Sequence, residues 1–523
     1  MTRLYATRFA IPLAALCAVS ASAFAQTAPA TITNIFDGAD PGTITVAGIT
    51  VYGTLDVGGA YLNHAASRDS LGGNYIGQPY ILQSNSQRSR FTYQNNAFSQ
   101  SNLGVRSTQS LSDLTGVEGL KGWSVGFDAA VNFDPLYGEL ADLCKSVQRN
   151  NGAPPASQQV FAADGSRCGQ LFSGDSWVSL KNNDGLGELR FGRQLTLLGS
   201  TLASADPTPG SYAFSLFGFS GTVGAGAGAT EESRWNNSLK YLNTIGIVRV
   251  GAAYRFEGGG QGGDGYSFQG GVDLPGALKG LSIDGVYAKE NTAITVGSLS
   301  AQNCFNLEGN AGAIPAAGLS AQQLAACQSS NVLAGTVQDT EAWAIAAKYK
   351  FGEDSFLKNA TVMGGYELIT RSNPSDRLSS TNTIGGYQLL NIGGANTPNY
   401  NGFVTDRDFD VYWIGGKYAF TPKLTGTAAW YHQQQNTNVA GAAGQATGLA
   451  PAKPTCTGLV TGRSSSGTCS GALNFYSATL DYQLAKRLDL YTGVSWSDVS
   501  NGAAAGFLAT NSYNLVSGVR FRF

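Results

Sequence analysis

The last eleven residues, YNLVSGVRFRF at 513–523, largely alternate between apolar and polar side chains. Leu515, Val519 and Phe521 fall on one side of this pattern, and Arg520 and Arg522 fall on the other. A period of two residues is typical of a β-strand with one apolar and one polar face. Chain termini usually fray, so such a regular end indicates that the final strand has a partner elsewhere in the fold.

The same alternation recurs along the chain, for example in WSVGFDAAVNFD at 123–134 and in VRVGAAYRF at 248–256. We count sixteen segments of this kind, from 44–62 to 512–523. The second segment is 101–110, and RSRFTYQN at 88–95 belongs either to it or to the first loop. The ninth and tenth segments are 280–290 and 340–351. The pattern therefore predicts an all-β protein.

The connections between these segments also alternate in length. Short ones lie near 183–185, 243–246, 352–355, 421–423 and 485–487, and long ones span 135–174, 195–233, 291–340, 371–406 and 436–472. A barrel of the bacterial outer membrane has short turns at one end and long loops at the other, whereas a soluble sandwich has no reason for this division. A closed barrel leaves no unpaired strand edge in hydrocarbon, so the last strand must pair with the first, ITVYGTLDVGGAYL at 49–62.

Composition agrees with this class. The chain has 523 residues, of which 69 are Gly and only 13% are charged. Residues 1–25 have the two Arg, the apolar run and the small residues of a secretory signal peptide, and 26–523 remain as one barrel domain. Beyond this leader no apolar run approaches the ~20 residues of a membrane helix. Cleavage moves the net charge from −2 to about −4, which gives no reason to expect a nucleic-acid partner.

Six cysteines remain after removal of the leader, and they form three neighbouring pairs. The pairs are Cys144 with Cys168, Cys304 with Cys327, and Cys456 with Cys469. Each pair lies within one long connection, so we expect three local disulfides, which suits an oxidising compartment outside the cytoplasm. Six unrelated thiols are the alternative, and a zinc site is less favoured because no His lies nearby.

Catalysis has little support in the sequence. The only histidines, His64 and His432, lie in segments far apart, and neither a G-x-S-x-G nor an H-E-x-x-H motif occurs. We therefore expect no enzyme activity, no cofactor and no metal site.

Five motifs together resemble the general porins of Gram-negative outer membranes, in particular the trimeric kind of beta-proteobacteria. They are ITVYGTLDVGGAY at 49–61, SNLGVRSTQSL at 101–111, GELRFGRQ at 187–194, RWNNSLKYL at 234–242 and SGVRFRF at 517–523. The resemblance implies export through a Sec-type pathway and a 16-stranded barrel in outer-membrane lipid, assembled as a homotrimer. It also implies that the third loop, 195–233, folds into the lumen and that Phe523 is the signal read by the barrel-assembly machinery.

Sixteen strands enclose a water-filled channel, whose polar lining decides what passes. The basic candidates on consecutive strands are Arg106, Arg190, Arg193, Arg234, Lys240, Arg249 and Arg255, and the acidic candidates on the third loop are Asp206, Glu231 and Glu232. A positive wall opposite a negative loop would discriminate solutes by charge. Ordinary solvated lumen or rim charges are the alternative, and the sequence does not decide between cations and anions.

Aromatic residues near strand ends, among them Tyr52 and Trp177, are expected at the lipid headgroup level. A stacking surface for sugars is the alternative for some of them. The sequence thus favours a general diffusion porin for ions and small hydrophilic solutes. A channel selective for a sugar or an organic anion, and a barrel whose bridged loops serve as an adhesin, remain the alternatives.

Overall fold

The structure is a computed structural model that describes residues 44–63, 89–152, 162–218, 233–257, 262–377, 383–390, 398–438, 470–504 and 510–523. Several sequence predictions lie outside these described residues. They concern the signal peptide at 1–25, Glu231 and Glu232 of the third loop, His64, and the pair Cys456 and Cys469.

Sixteen antiparallel strands form one closed barrel, which confirms the predicted fold class. The strands are β1 (Ile49–Leu62), β2 (Arg90–Asn95 and Asn102–Ser110), β3 (Trp123–Asp134), β4 (Ser176–Asn182), β5 (Gly187–Leu195), β6 (Arg234–Ile245), β7 (Val248–Arg255), β8 (Gly265–Asp273), β9 (Leu281–Gly297), β10 (Val332–Lys350), β11 (Ala360–Ser372), β12 (Arg407–Thr421), β13 (Leu424–Gln435), β14 (Gly471–Ala485), β15 (Leu488–Asn501) and β16 (Asn511–Arg522). Short strands at Ile44–Val46, Glu139–Leu140, Ala162–Asp164, Thr383–Ile384 and Tyr387–Leu390 extend the sheet at its ends.

The barrel closes between its first and last strands, as the terminal alternation predicts. Val57 of β1 lies opposite Val519 of β16, and the pairing continues in register from Thr54 to Leu62. Phe523 completes the seam, because its backbone N–H donates to the Gly53 carbonyl at 3.1 Å and its carbonyl accepts from the Gly53 N–H at 3.0 Å. The last residue of the chain is therefore hydrogen-bonded on both of its backbone groups.

The alternation places apolar side chains on the outer surface. On β10, Trp343 is 54% exposed on the outside, whereas the neighbouring Ala344 is 7% exposed on the inside. This arrangement suits a barrel surrounded by lipid, because polar side chains then face the lumen. Within the described ranges, no helix is long and apolar enough to cross a membrane.

The hairpin of β9 and β10 is longer than predicted. Its pairing continues beyond the barrel wall through Ala293–Gly297 opposite Ala334–Gln338, after an irregularity at 290–293. The predicted loop at 291–340 is therefore reduced to 298–331. Two short helices lie in it, α4 (Ala301–Leu307) and α5 (Ala321–Ser329). Ser320 and Gln323 form a capping box at the start of the second helix.

Long connections at the end of the barrel where the β9–β10 hairpin protrudes pack together. We call residues 135–152, 162–175, 293–338 and 383–390 the outer platform. Its apolar core contains Leu143, Val147, Val296, Leu333 and Leu389. Helix α2 (Leu143–Gln148) belongs to this platform, while helix α1 (Leu111–Thr115) lies in the turn after β2. Two predicted disulfides, Cys144–Cys168 and Cys304–Cys327, are confirmed, and both close within the platform.

Candidate functional site: the charged wall and the loop that faces it

The connection after β5 folds into the barrel, as the resemblance implies for the third loop. Its first part is helix α3 (Leu197–Ser204), which begins where the Thr196 hydroxyl accepts a hydrogen bond of 3.0 Å from the Gly199 N–H. Leu197, Leu198 and Leu202 are buried, and the helix contacts the inner faces of β7 to β10. We call residues 196–218 the constriction loop.

The constriction loop then crosses to β12 and β13. Its Ala205 carbonyl accepts a 3.0 Å hydrogen bond from the Trp413 indole, and Asp206 accepts one of 2.5 Å from the Tyr431 hydroxyl. The second oxygen of Asp206 accepts from the Ser215 hydroxyl at 2.6 Å. Burial raises the pKa of Asp206, although these hydrogen bonds oppose the shift.

Asp206 therefore does not lie where the sequence analysis expects it, facing the basic residues of the wall. It is 2% exposed. Its hydrogen bond with Ser215 stabilises the turn of the loop, and its hydrogen bond with Tyr431 attaches the loop to β13. A local pattern could not show this, because Tyr431 lies 225 residues away along the chain.

A break in β2 provides a third attachment. Residues 96–101 leave the strand and enter the lumen, where the Ala97 carbonyl accepts from the Ser211 hydroxyl at 2.6 Å and from the Ala213 N–H at 3.0 Å. Asp56 of β1 stabilises the break by accepting the backbone N–H groups of Phe98 and Ser99 at 2.8 and 2.6 Å. Residues 90–95 of the stretch whose place the sequence leaves open are thus the first half of β2, and the break explains that ambiguity.

Phe98, within this break, forms an aromatic contact that the sequence analysis missed. Its ring stacks on Tyr491 with centroids 5.1 Å apart and meets Phe214 of the constriction loop edge-on at 6.0 Å. The Arg520 guanidinium lies 4.6 Å from the same ring and also pairs with Asp489 at 2.8 Å. The only sequence signal was NNAFSQS at 95–101, which interrupts the alternation.

Four of the predicted basic residues come together on adjacent strands, and three carboxylates lie among them. We call this set the charged wall: Arg106, Asp128, Asp175, Glu188, Arg190, Arg234 and Lys240. Arg106 lies directly opposite Asp128 across β2 and β3, and Arg190 lies directly opposite Lys240 across β5 and β6. The four cations exceed the three carboxylates by one charge.

Most members of the charged wall hold one another in place. Arg190 Nε pairs with Glu188 at 2.8 Å, and Arg234 Nε pairs with Asp175 at 2.8 Å. Burial opposes ionisation of Asp175, but the attraction and hydrogen bond of Arg234 overcome it and hold its pKa below the ordinary value. Lys240 Nζ donates to the Leu195 carbonyl at 2.7 Å.

Arg106 differs from the other cations because its side chain is exposed to the lumen. No carboxylate in the described part of the chain forms an ion pair with it. It lies 5.1 Å from the ring of Tyr52, whose hydroxyl donates to Asp128 at 2.5 Å. Arg190 lies 4.3 Å from the ring of Trp177 in the same way.

Tyr52 and Trp177 therefore face the lumen and not the lipid headgroups, where the sequence analysis expects them. The neighbour of Trp177, Val178, is 55% exposed on the outside, so the alternation turns the indole inward. The sequence SWVSLKN at 176–182 contains this phase, but two aromatic residues near strand ends also fit an interfacial girdle.

The Arg193 side chain is buried in the side of the barrel and forms structural hydrogen bonds there. Its guanidinium donates to the carbonyls of Ser173 and Gly174 at 3.0 and 3.1 Å and to Asn236 Oδ1 at 2.7 Å. The side chain stands out of phase because the strand is irregular at Gly192, whose φ of 127° favours glycine. A Cβ there would lie 2.4 Å from the Ser176 carbonyl oxygen.

Arg249 and Arg255 of β7 are each matched by carboxylates on β8 or β9. Arg249 pairs with Asp284 at 2.9 Å and with Asp273. Arg255 pairs with Glu290, and both of these side chains are almost completely buried. The structure therefore does not group these two arginines with the charged wall.

His432 is the one histidine among the described residues. The ring Nδ1 of His432 lies 2.8 Å from Asn474 Oδ1, and no group of three or more His, Cys, Asp or Glu residues is placed to hold a metal ion in the described part of the chain.

Comparison with known proteins identifies the family of this chain. A family model described as Gram-negative porin matches residues 13–502. No curated protein matches the chain. Among solved structures, the anion-selective porin of Comamonas acidovorans is 15% identical with a TM-score of 0.51, covering 91% of this chain and 99% of that one.

Two further solved structures are similar at lower scores. The trimer form of OmpT from Vibrio cholerae is 11% identical with a TM-score of 0.48, covering 91% of this chain and 99% of that one. OmpF of Salmonella typhi is 12% identical with a TM-score of 0.43, covering 91% and 97%. Since the family model spans most of the sequence, the chain belongs to the Gram-negative porin family, whose barrels are channels of the outer membrane and not enzymes.

Proposed function

We propose that this channel passes ions and small hydrophilic solutes by general diffusion and prefers anions. The charged wall carries the proposal, because its four cations exceed its carboxylates and Arg106 is exposed to the lumen. A net positive lining raises the local concentration of anions and lowers that of cations.

The constriction loop adds no opposing charge in residues 196–218. Its one acidic residue there is Asp206, whose oxygens are used by Tyr431, Ser215 and Thr208. The other two acidic residues expected to face the wall, Glu231 and Glu232, lie outside the described residues. The porin of Comamonas acidovorans, which has the same fold, is anion-selective, so this architecture is compatible with such a preference.

The decisive experiment measures single-channel conductance of the purified protein in a planar bilayer, with the reversal potential under a KCl gradient. Ohmic steps with a reversal potential of the sign set by chloride would support the proposal. A potential set by potassium would reject the anion preference. The absence of steps would reject an open channel.

A substrate-selective channel is the second candidate. It is favoured by the two arginine and aromatic pairs on the charged wall, Arg106 with Tyr52 and Arg190 with Trp177, which offer charge and a flat ring side by side. Saturable block of chloride current by one sugar or one organic anion would favour it.

An adhesive role of the outer platform is the remaining alternative. In that case, deletion of 298–331 would remove binding to surfaces and leave the conductance unchanged.

Assembly as a homotrimer in outer-membrane lipid and recognition of Phe523 by the barrel-assembly machinery are part of the same proposal. Family membership supports them. Native mass spectrometry of the detergent-solubilised protein tests the trimer, and Phe523→Ala tests the signal through the amount of folded protein recovered from outer membranes.

A further inference from the structure

A cavity of about 460 Å³ lies between the end of helix α3 and the short-turn ends of β7 to β10. We call it the short-turn cavity. Ser204 and Ala205 of the constriction loop line one side of it. Asp284 of β9 and Ala346 of β10 also line it, and both are buried on the inside of the barrel, so the cavity belongs to the lumen. Small-molecule sites typically measure roughly 300–1,000 Å³, so there is room for a small solute.

Two carboxylates line the short-turn cavity, and both have partners on the wall. Asp284 pairs with Arg249 at 2.9 Å and accepts from the Gln269 amide at 3.2 Å. Asp273 also pairs with Arg249, and it accepts from the Ser282 hydroxyl at 2.7 Å. These contacts hold the two acids against the wall, and the single guanidinium offsets one of their two charges.

Two lysines supply the other cations of the short-turn cavity. Lys279 lies in the turn between β8 and β9, and Lys348 lies on β10 directly opposite Ser282. Both side chains are exposed, and neither ammonium group forms a hydrogen bond or an ion pair with another described residue. With Arg249, the three cations of the lining exceed the two carboxylates by one charge. Each ammonium group carries three donors, which the wall leaves available.

The rest of the lining includes apolar side chains, which bear on the kind of anion that fits. Leu274, which follows β8, lines the short-turn cavity together with Ala205 and Ala346. A lysine ammonium binds carboxylate or phosphate as a point charge. Apolar surface beside it favours an anion that also carries carbon atoms, because burial of those atoms adds to the electrostatic attraction.

We propose that the short-turn cavity binds a small organic carboxylate, held by Lys279 and Lys348 beside the apolar part of the lining. A solute that has passed the constriction loop is retained there before it leaves at the short-turn end. The inference rests on the proposed function only because the solute reaches the cavity through an open lumen. It does not depend on which ions the charged wall prefers.

The test is calorimetric titration of the full purified chain in detergent with succinate, at an ionic strength held constant with chloride. Wild type is expected to bind succinate saturably. Lys348→Gln is expected to raise the Kd roughly fivefold or more, because it removes a charge-assisted donor, and the double variant with Lys279→Gln is expected to raise it further. Asp273→Asn removes a negative charge from the lining and is expected to lower the Kd.

Lys423→Gln is the matched control, since Lys423 is an exposed lysine in the short turn between β12 and β13 and does not line the cavity. It is expected to bind succinate as wild type does. Equal weakening by Lys423→Gln and Lys348→Gln would overturn the proposal, because the effect would then reflect the net charge of the chain. No saturable heat in wild type, or an equal Kd in wild type and the double variant, would also overturn it.

Two further measurements separate the parts of the proposal. Inorganic phosphate is expected to bind more weakly than succinate, and equal or tighter binding of phosphate would reject the role of the apolar lining. Channel steps from a protein that shows no saturable succinate binding would reject the site and keep the channel. Saturable binding by a protein that gives no steps would reject the open channel and keep the site.

Discussion

The hydroxyl of Tyr431 donates a hydrogen bond of 2.5 Å to Oδ1 of Asp206, joining the wall of the barrel to the constriction loop across 225 residues of sequence. The Trp413 indole holds the adjacent carbonyl, and Phe217 meets both aromatic rings edge-on at 4.8 and 5.5 Å. The position of the loop in the lumen therefore depends on side chains of β12 and β13. This relationship makes the width of the channel sensitive to residues that carry no lumen charge.

Tyr431→Phe is expected to loosen the constriction loop without disrupting the barrel. The change leaves a buried carboxylate one donor short, which costs about 1–3 kcal/mol. Hydrogen exchange followed by mass spectrometry should show faster exchange in peptides from 197–218, and single channels should show larger or noisier conductance. Tyr476→Phe on the lipid side of β14 is the control. Unchanged exchange in the loop would show that the hydroxyl does not anchor it.

Asp206→Asn is expected to remove a pH-dependent contribution to stability. Because burial raises the pKa of Asp206 in the folded protein, its contribution is fully present below the ordinary value of about 4 and is lost as pH rises through the raised pKa. Wild type should thus gain stability relative to the variant as pH falls from 7 towards 4. The measurement is the difference in Tm between the two proteins across this range. A constant difference would contradict the assignment.

The barrel was predictable because its signals are local. Alternation identifies strands, and the cost of an open edge in lipid requires β16 to close on β1. The path of the constriction loop was not predictable, since Asp206, Ser211 and Phe98 meet partners that no periodic pattern connects. Polar phase identified Arg106 and Arg190 as lumen residues and placed Arg193 on the apolar phase of its strand, but no pattern showed that the donors of Arg193 are used by the backbone carbonyls of Ser173 and Gly174.

Arg106→Gln is expected to change the ion selectivity of the channel, whereas Arg193→Gln is expected to lower its stability. Arg106 is exposed to the lumen, so its loss should shift the reversal potential towards the value set by potassium, with little change in the free energy of unfolding. Arg193 is buried, so its loss leaves carbonyls of Ser173 and Gly174 unpaired and should cost about 1.5–3 kcal/mol. Reversal potentials and urea unfolding, measured on both variants, separate the two roles.

Glu188→Gln serves as the internal control for the Arg106 experiment. It removes a carboxylate from the same wall and leaves Arg190 without this ion pair. The reversal potential should therefore move towards the value set by chloride. A shift of the same sign in Arg106→Gln and Glu188→Gln would mean that the charged wall does not determine selectivity.

Replacing both cysteines of the Cys144–Cys168 disulfide by Ala is expected to destabilise the outer platform and spare the barrel. Such a bond typically contributes about 2–4 kcal/mol, largely by restricting the unfolded chain. Both cysteines are buried in the platform core, and α2 also carries Asp142 as its cap, which accepts from the Tyr387 hydroxyl at 3.0 Å. Limited proteolysis should cleave the platform faster, while single-channel conductance stays at the wild-type value. A changed conductance would instead show that the platform helps to hold the constriction loop, through contacts such as the 3.5 Å approach of Arg167 to the Tyr212 hydroxyl.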